Sequence, residues 1–323
     1  LKDHCNAAPQ NLSIGEATMT LEVINISKYY GKHLALKNFS MTLNPGEIVG
    51  LIGKNGSGKT TLLNCIVNNI HISSGEIFFR GKKLLENKHL IAKFGVLIES
   101  CFLDYLNAYE NLKLLMLADG INDKEDIHNQ LNMVLDLVGL EERKKEFVKN
   151  YSFGMKQRLG LAQSLLNNKE VLILDEPLVG LDAMGRELVK KILFEKAKSG
   201  GNAVIFSDHN LNEVKDICDR IILIDNGIKK FDGLFDDKKK YIVDLERLNE
   251  GLKNLILEKF NDVKIEENTL IFSNPDIINN LLKFLITQNI EITNLNVREG
   301  SLLSLFKGEI DNVEHEVDME YRV

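Results

Sequence analysis

GKNGSGKT, residues 53–60, has the spacing G-x-x-x-x-G-K-[ST], with a strand-like apolar run before it and helical spacing after it. Gly53, Gly56 and Gly58 let backbone N–H groups point into one concavity, which suits phosphate oxygens. Lys54, Asn55 and Ser57 fill the same loop, and Thr61 follows it. Lys59 places an ammonium on terminal phosphates, and Thr60 offers a hydroxyl to Mg²⁺. The dipole of the helix starting near Gly58 adds a favourable field. Taken alone, this pattern fits GTPases, kinases, helicases and transport ATPases alike.

VLILDEP, 171–177, narrows the choice. Its apolar residues form a buried strand, and Asp175 stands at the C-terminal end, where open α/β sheets bind ligands. Asp175 suits Mg²⁺. Glu176 points differently and can polarise a water for attack on a γ-phosphate. The guanine-reading pattern N-K-x-D is absent, since Asn168-Lys169-Glu170-Val171 lacks the Asp. His209, in FSDHNL, follows another apolar strand. It is either a loop histidine without a role or a side chain that reaches the γ-phosphate. A second anion grip lies in YSFGMKQR, 151–158. Ser152 can cap a helix, Gly154 lets backbone come close, and Lys156 and Arg158 follow.

The elements that must position these residues alternate between strand and helix patterns. LEVINIS and HLALKNFSMTL alternate as half-buried strands, NPG at 44–46 is a turn, and SGEIFFRGK and FGVLIES are further strands. From Tyr109 to about Leu166 the pattern is helical. Ile127, Leu131, Val134, Leu135 and Val138 share one face, Gly139 is a stop, and Asn122 with Glu125 reads as a capping box. Strand–helix alternation then returns through VLIL, AVIF and IILI to a hairpin turn at Asp225-Asn226-Gly227. A mainly parallel sheet with covered faces follows from this rhythm, interrupted by a helical insertion at about 100–166. DDKKKY at 236–241 breaks it. NTLIFS, a helical PDIINNLLKFLITQ and IEITNLNV then read as a β-α-β segment of a small C-terminal α+β domain over 236–323, with an acidic tail.

The 323 residues are 44% hydrophobic and 27% charged, which suits one sizeable domain plus a smaller one. A net charge of −7 without a basic stripe argues against nucleic acid as a partner. Cys5, Cys65, Cys101 and Cys218 show no CxxC spacing and read as small buried free thiols in a reducing compartment. No run reaches the ~18 apolar residues of a membrane span. Residues 1–18 lack apolar period and signal-peptide character and read as a disordered or non-native lead.

Together these motifs resemble the ATP-binding subunits of ABC transporters over roughly residues 20–235, with GKNGSGKT as Walker A, VLILDEP as Walker B and YSFGMKQR in place of the LSGGQ signature. The resemblance implies a P-loop NTPase of ABC type with a mainly parallel core sheet, an antiparallel β subdomain and an inserted helical subdomain, over 19–235. It implies ATP hydrolysis with Mg²⁺. GLDA, with Asp182, resembles the D-loop, and His209 the switch histidine. Tyr30, in YYGK, sits where the family stacks an aromatic on adenine, an interaction of about 1–3 kcal/mol; core packing is the other reading.

In this family two copies dimerise head to tail, so Ser152, Phe153, Gly154 and Met155 would act across the interface on the partner's ATP. Phe153 and Met155 depart from the LSGGQ pattern by replacing its first glycine and its glutamine. The family also carries a Mg²⁺-touching glutamine where this chain has Glu99, in Leu97-Ile98-Glu99-Ser100; a plain surface glutamate is the other reading. SFGMKQRLGLA, LIES and the C-terminal extension resemble the bacitracin-resistance and lantibiotic-immunity subgroup. That implies a separate integral membrane permease, a peptide-antibiotic cargo and a place on the cytoplasmic face of the bacterial plasma membrane. The rival readings are a soluble ABC-type ATPase with a non-transport target and an exporter subunit for an unrelated cargo. One Walker A and no sustained heptad run disfavour the soluble one.

Overall fold

Alternation of buried and exposed residues builds the first sheet. β1 (Leu21–Tyr30) pairs antiparallel with β2 (His33–Leu43), burying Leu21, Val23 and Ile26 against Leu36, Phe39 and Met41. The computed structural model describes residues 20–234, 240–260 and 262–298. The expected lead at 1–18, residues 236–239 of the charged break and the acidic tail lie outside the described residues. β3 (Ile48–Ile52) is buried at every position, as a central parallel strand must be. α1 (Lys59–Ile66) follows, then β4 (Ser74–Phe79) and β5 (Lys82–Lys83), which complete a four-stranded antiparallel sheet in the order β2-β1-β4-β5.

β6 (Phe94–Leu97) leads into the helical insertion: α2 (Ala108–Ala118), α3 (Lys124–Leu137) and α4 (Phe153–Ser164). The expected α3 face is buried, and Gly139 follows it at φ +67°. The expected cap is off by one residue. Asp123, not Asn122, caps α3, accepting from the Asp126 N–H at 2.8 Å, while the Asn122 amide donates to the Gly120 carbonyl. A carboxylate at the positive helix end is the stronger partner. The capping box lies instead on α2, between Asn107 and Glu110.

β7 (Val171–Leu174), α5 (Ala183–Lys198), β8 (Ala203–Asp208), α6 (Leu211–Lys215), β9 (Arg220–Asp225) and β10 (Ile228–Gly233) complete a six-stranded sheet in the order β10-β9-β3-β8-β7-β6. All pairs are parallel except β10 with β9, joined by the turn at Asn226 and Gly227, both at positive φ. One core joins the antiparallel sheet, α1 and one face of this sheet; α5 and α6 pack on β3 and β8. Cys65 is buried and Cys218 partly so, but Cys101 is exposed, because it lies in the loop beyond β6.

The chain divides into two compact units after Leu234. The second comprises β11 (Lys240–Leu245), α7 (Glu250–Lys259), β12 (Lys264–Glu266), β13 (Thr269–Phe272), α8 (Asp276–Thr287) and β14 (Ile292–Arg298). Its sheet runs β12-β13-β11-β14 with every pair antiparallel, the ferredoxin-like β-α-β-β-α-β arrangement. The expected β-α-β segment is its second half. The first half left a faint trace, since α7 fully buries only Ile256 and β12 has three residues.

Candidate active site

Loop 53–58 leaves the end of β3 and turns straight into α1. Gly58 caps α1 at φ +109°, and neither a side-chain cap nor an acidic residue occupies the first turn. The leading N–H groups of α1 therefore face an outside acceptor. A Cβ at Gly58 would sit 2.9 Å from the Ala35 carbonyl oxygen, so the loop closes against β2 only with glycine there. Lys59 is 4% exposed and folds back to donate to the carbonyls of Gly53 at 2.7 Å and Lys54 at 3.1 Å. Burial lowers its pKa, opposed by the nearby Glu176, Asp175 and Asp208. Ser57 is buried with its hydroxyl unpartnered, and its carbonyl accepts from the Gly227 N–H at 2.8 Å.

The sheet order brings the acidic strand end to this loop. Thr60 Oγ1 donates to Asp175 Oδ2 at 2.6 Å. Ser207, buried on β8, donates its hydroxyl to Asp175 Oδ1 and accepts from the Glu176 N–H at 2.8 Å. Glu176 adopts φ +47°, a left-handed conformation that costs a non-glycine residue about 1–3 kcal/mol and clusters at functional sites. Its carboxylate lies 3.8 Å from His209 Nδ1, which is also 3.7 Å from Asp208 Oδ1. Burial pushes the Asp208 pKa up, against the Asn210 N–H that it accepts.

Tyr30, Asn55, Gly56, Gly58, Lys59, Thr60, Thr61 and Glu176 line one cleft of about 490 Å³, completed by His33, Leu34, Ala35 and the Asn226–Gly227 turn. Tyr30 is 48% exposed at this mouth and is not a core residue. A larger cavity of about 970 Å³ lies where Glu170 and Asn202 precede β7 and β8. That is the end of the sheet away from Asp175, where ligands of open α/β sheets do not bind.

Several expected residues lie outside the cleft. Ser152 caps α4, accepting from the Met155 N–H at 3.2 Å, and Phe153, Gly154 and Met155 form the mouth of that helix. Phe153 is 62% exposed, and its ring covers Gly180. Asp182 caps α5, accepting from the Gly185 N–H at 2.8 Å. Glu99 is exposed, two residues beyond β6. Sequence spacing missed Ser207 and Gln157, whose amide reaches the Glu176 carbonyl at 2.9 Å. Neither contact follows a local motif.

The donor set fits Mg²⁺. Thr60 and Asp175 supply one hydroxyl and one carboxylate, and among the described residues no cluster of three or more His, Cys, Asp or Glu forms a protein-only cage. Mg²⁺ bound with phosphates needs few protein ligands.

The sequence model of the ABC transporter family matches residues 36–179. The chain is 29% identical over 297 residues to the bacitracin transport ATP-binding protein BcrA of Bacillus licheniformis, covering 88% of this chain and 95% of that one. It is 37% identical over 218 residues to the lantibiotic transport ATP-binding protein SrtF of Streptococcus pyogenes, covering 66% and 92%. The dimeric structure of MJ0796, a bacterial ABC transporter cassette, superposes with TM-score 0.62 at 25% identity, covering 67% of this chain and 99% of that one. The phosphate loop, the acidic strand end beside it and the inserted helices define a P-loop ATPase. The chain belongs to the ABC transporter ATP-binding proteins and hydrolyses ATP.

Proposed function

We propose that the chain powers export of a peptide antibiotic of the bacitracin or lantibiotic kind, by ATP-driven pairing of two copies on a separate membrane permease. The observation that carries the pairing is geometric: Lys59, Thr60 and Glu176 line one cleft and Thr60 holds Asp175 beside it, while Ser152–Met155 form the mouth of a separate helix, α4, outside that lining. A second copy, turned head to tail, brings that helix mouth over the cleft.

The adenine stacks on Tyr30. Residues 53–61 hold the phosphates through backbone N–H groups, and Lys59 turns from the Gly53 carbonyl to the terminal phosphates. Thr60 and Asp175 would hold Mg²⁺, with Glu99 as a further ligand. The ion offsets phosphate charge when bound. Glu176 takes a proton from the attacking water as the water's oxygen bonds the γ-phosphorus. The bond to the bridging oxygen breaks, releasing ADP and phosphate. His209 donates to the γ-phosphate, and Asp182 holds the start of α5 at the interface. Among the described residues no helix is long and apolar enough to cross a membrane. In this reading a separate permease supplies the span, and the pair sits on its cytoplasmic side. The likeness to BcrA and SrtF supports the cargo class.

Mixing two inactive chains tests the shared site. Ser152→Arg spoils the helix mouth and Lys59→Ala spoils the cradle. Each mixed dimer then holds one intact cradle facing one intact mouth, and ATPase activity should rise above either variant alone. No recovery in mixtures shown to contain heterodimers contradicts the reading.

A further inference from the structure

Glu176 holds an unfavourable backbone conformation, and two side chains grip its peptide groups from opposite sides. On one side its N–H donates to Ser207 Oγ at 2.8 Å. On the other its carbonyl accepts from Gln157 Nε2 at 2.9 Å, and from the Val179 N–H at 3.2 Å within its own loop. A carbonyl only accepts, so the Gln157 amide must turn its NH₂ toward it. Gln157 belongs to α4, one turn behind the Ser152–Met155 mouth. The same helix touches the loop again where the Phe153 ring covers Gly180.

We propose that Gln157 is a positioning residue for Glu176, and that it transmits closure of α4 over the partner's nucleotide to the Glu176 of its own chain. The second half rests on the shared-site reading above; the first does not. Gln157 touches no reacting atom. The left-handed peptide of Glu176 is pinned at both ends, so a small shift of α4 changes where the carboxylate points. Misplacing a reacting group by about 1 Å lowers turnover on the order of a hundredfold. Each copy thus reports through α4 whether its neighbour's nucleotide is engaged and adjusts its own Glu176 to match.

Two measurements on the full chain test this. Gln157→Glu keeps the side chain's size, but the carboxylate only accepts and faces a carbonyl oxygen; once protonated it donates again. At pH 8 its kcat should fall about ten- to hundredfold while nucleotide affinity stays within about twofold. Its kcat relative to the unaltered chain should then climb as pH falls toward 5.5. Gln157→Met, with no donor at any pH, should stay low throughout. A flat ratio for Gln157→Glu, or normal turnover in Gln157→Met, overturns the proposal.

The second measurement mixes Gln157→Glu with Lys59→Ala. The one intact cradle then belongs to the Gln157→Glu chain and faces an unaltered mouth. Positioning within one chain leaves this mixture slow, whereas the Ser152→Arg mixture recovers. Recovery in both would place Gln157 in the mouth and overturn the proposal. Recovery in neither contradicts the shared site, and the pH profile alone then decides whether Gln157 positions Glu176.

Discussion

Lys59 carries a conflict that, in the proposed function, ATP would resolve. Its ammonium is buried, held by two carbonyls, and burial lowers its pKa. The folded chain therefore binds this proton more weakly than the unfolded chain. Between the lowered value and 10.5, the Lys59 contribution to the stability of the nucleotide-free chain rises with pH, and at neutral pH the whole penalty is present. Lys59→Met should raise the neutral-pH thermal midpoint without nucleotide and abolish the rise that ATP causes in the unaltered chain. That rise corresponds to about 2.7 kcal/mol at a hundredfold excess over Kd. A variant that loses stability without nucleotide, or still gains it from ATP, contradicts this view of the cradle. The form of the loop was legible in the sequence because its spacing is local: glycines for backbone approach, a lysine and a threonine at fixed offsets. Ser207 and Gln157 were not, because they meet Glu176 across β8 and α4, and no spacing within one stretch encodes that.

The mouth of α4 shows how an element absorbs a departure from its family's pattern. Phe153 stands where the LSGGQ signature has glycine, and its ring takes the space above Gly180. Gly180 lies at φ +73°, and a Cβ there would be 2.1 Å from Phe153 Cδ1. Gly180→Ala should cost about 1–2 kcal/mol from backbone conformation alone, plus the clash. Phe153→Gly in the same chain should return the clash share and leave the backbone share. A double-mutant cycle of thermal midpoints measures this; strictly additive effects would show that the ring and Gly180 do not meet. The elements themselves were readable where periodicity was strong, as in α3 and the fully buried β3. The α3 cap slipped by one residue because Asn122 and Asp123 are both competent caps, and the carboxylate wins at the helix dipole.

At the scale of the molecule, the first unit carries the phosphate loop and the mouth of α4, which one copy does not bring together. The sheet explains the arrangement. β3 and β7 deliver Lys59, Asp175 and Glu176 to one end of the sheet, with Ser207 of β8 between them, while the insertion between β6 and β7 presents Ser152 on a separate helix. In the proposed head-to-tail pair, two copies would close both gaps at once. Glu176→Gln tests this most directly, because the amide keeps the shape of the side chain but cannot take the proton. With ATP and Mg²⁺, light scattering should show a stable dimer holding two uncleaved ATP molecules, and adding Ser152→Arg should return it to monomer. A Glu176→Gln chain that stays monomeric at saturating ATP, or a dimer indifferent to Ser152→Arg, would contradict the account.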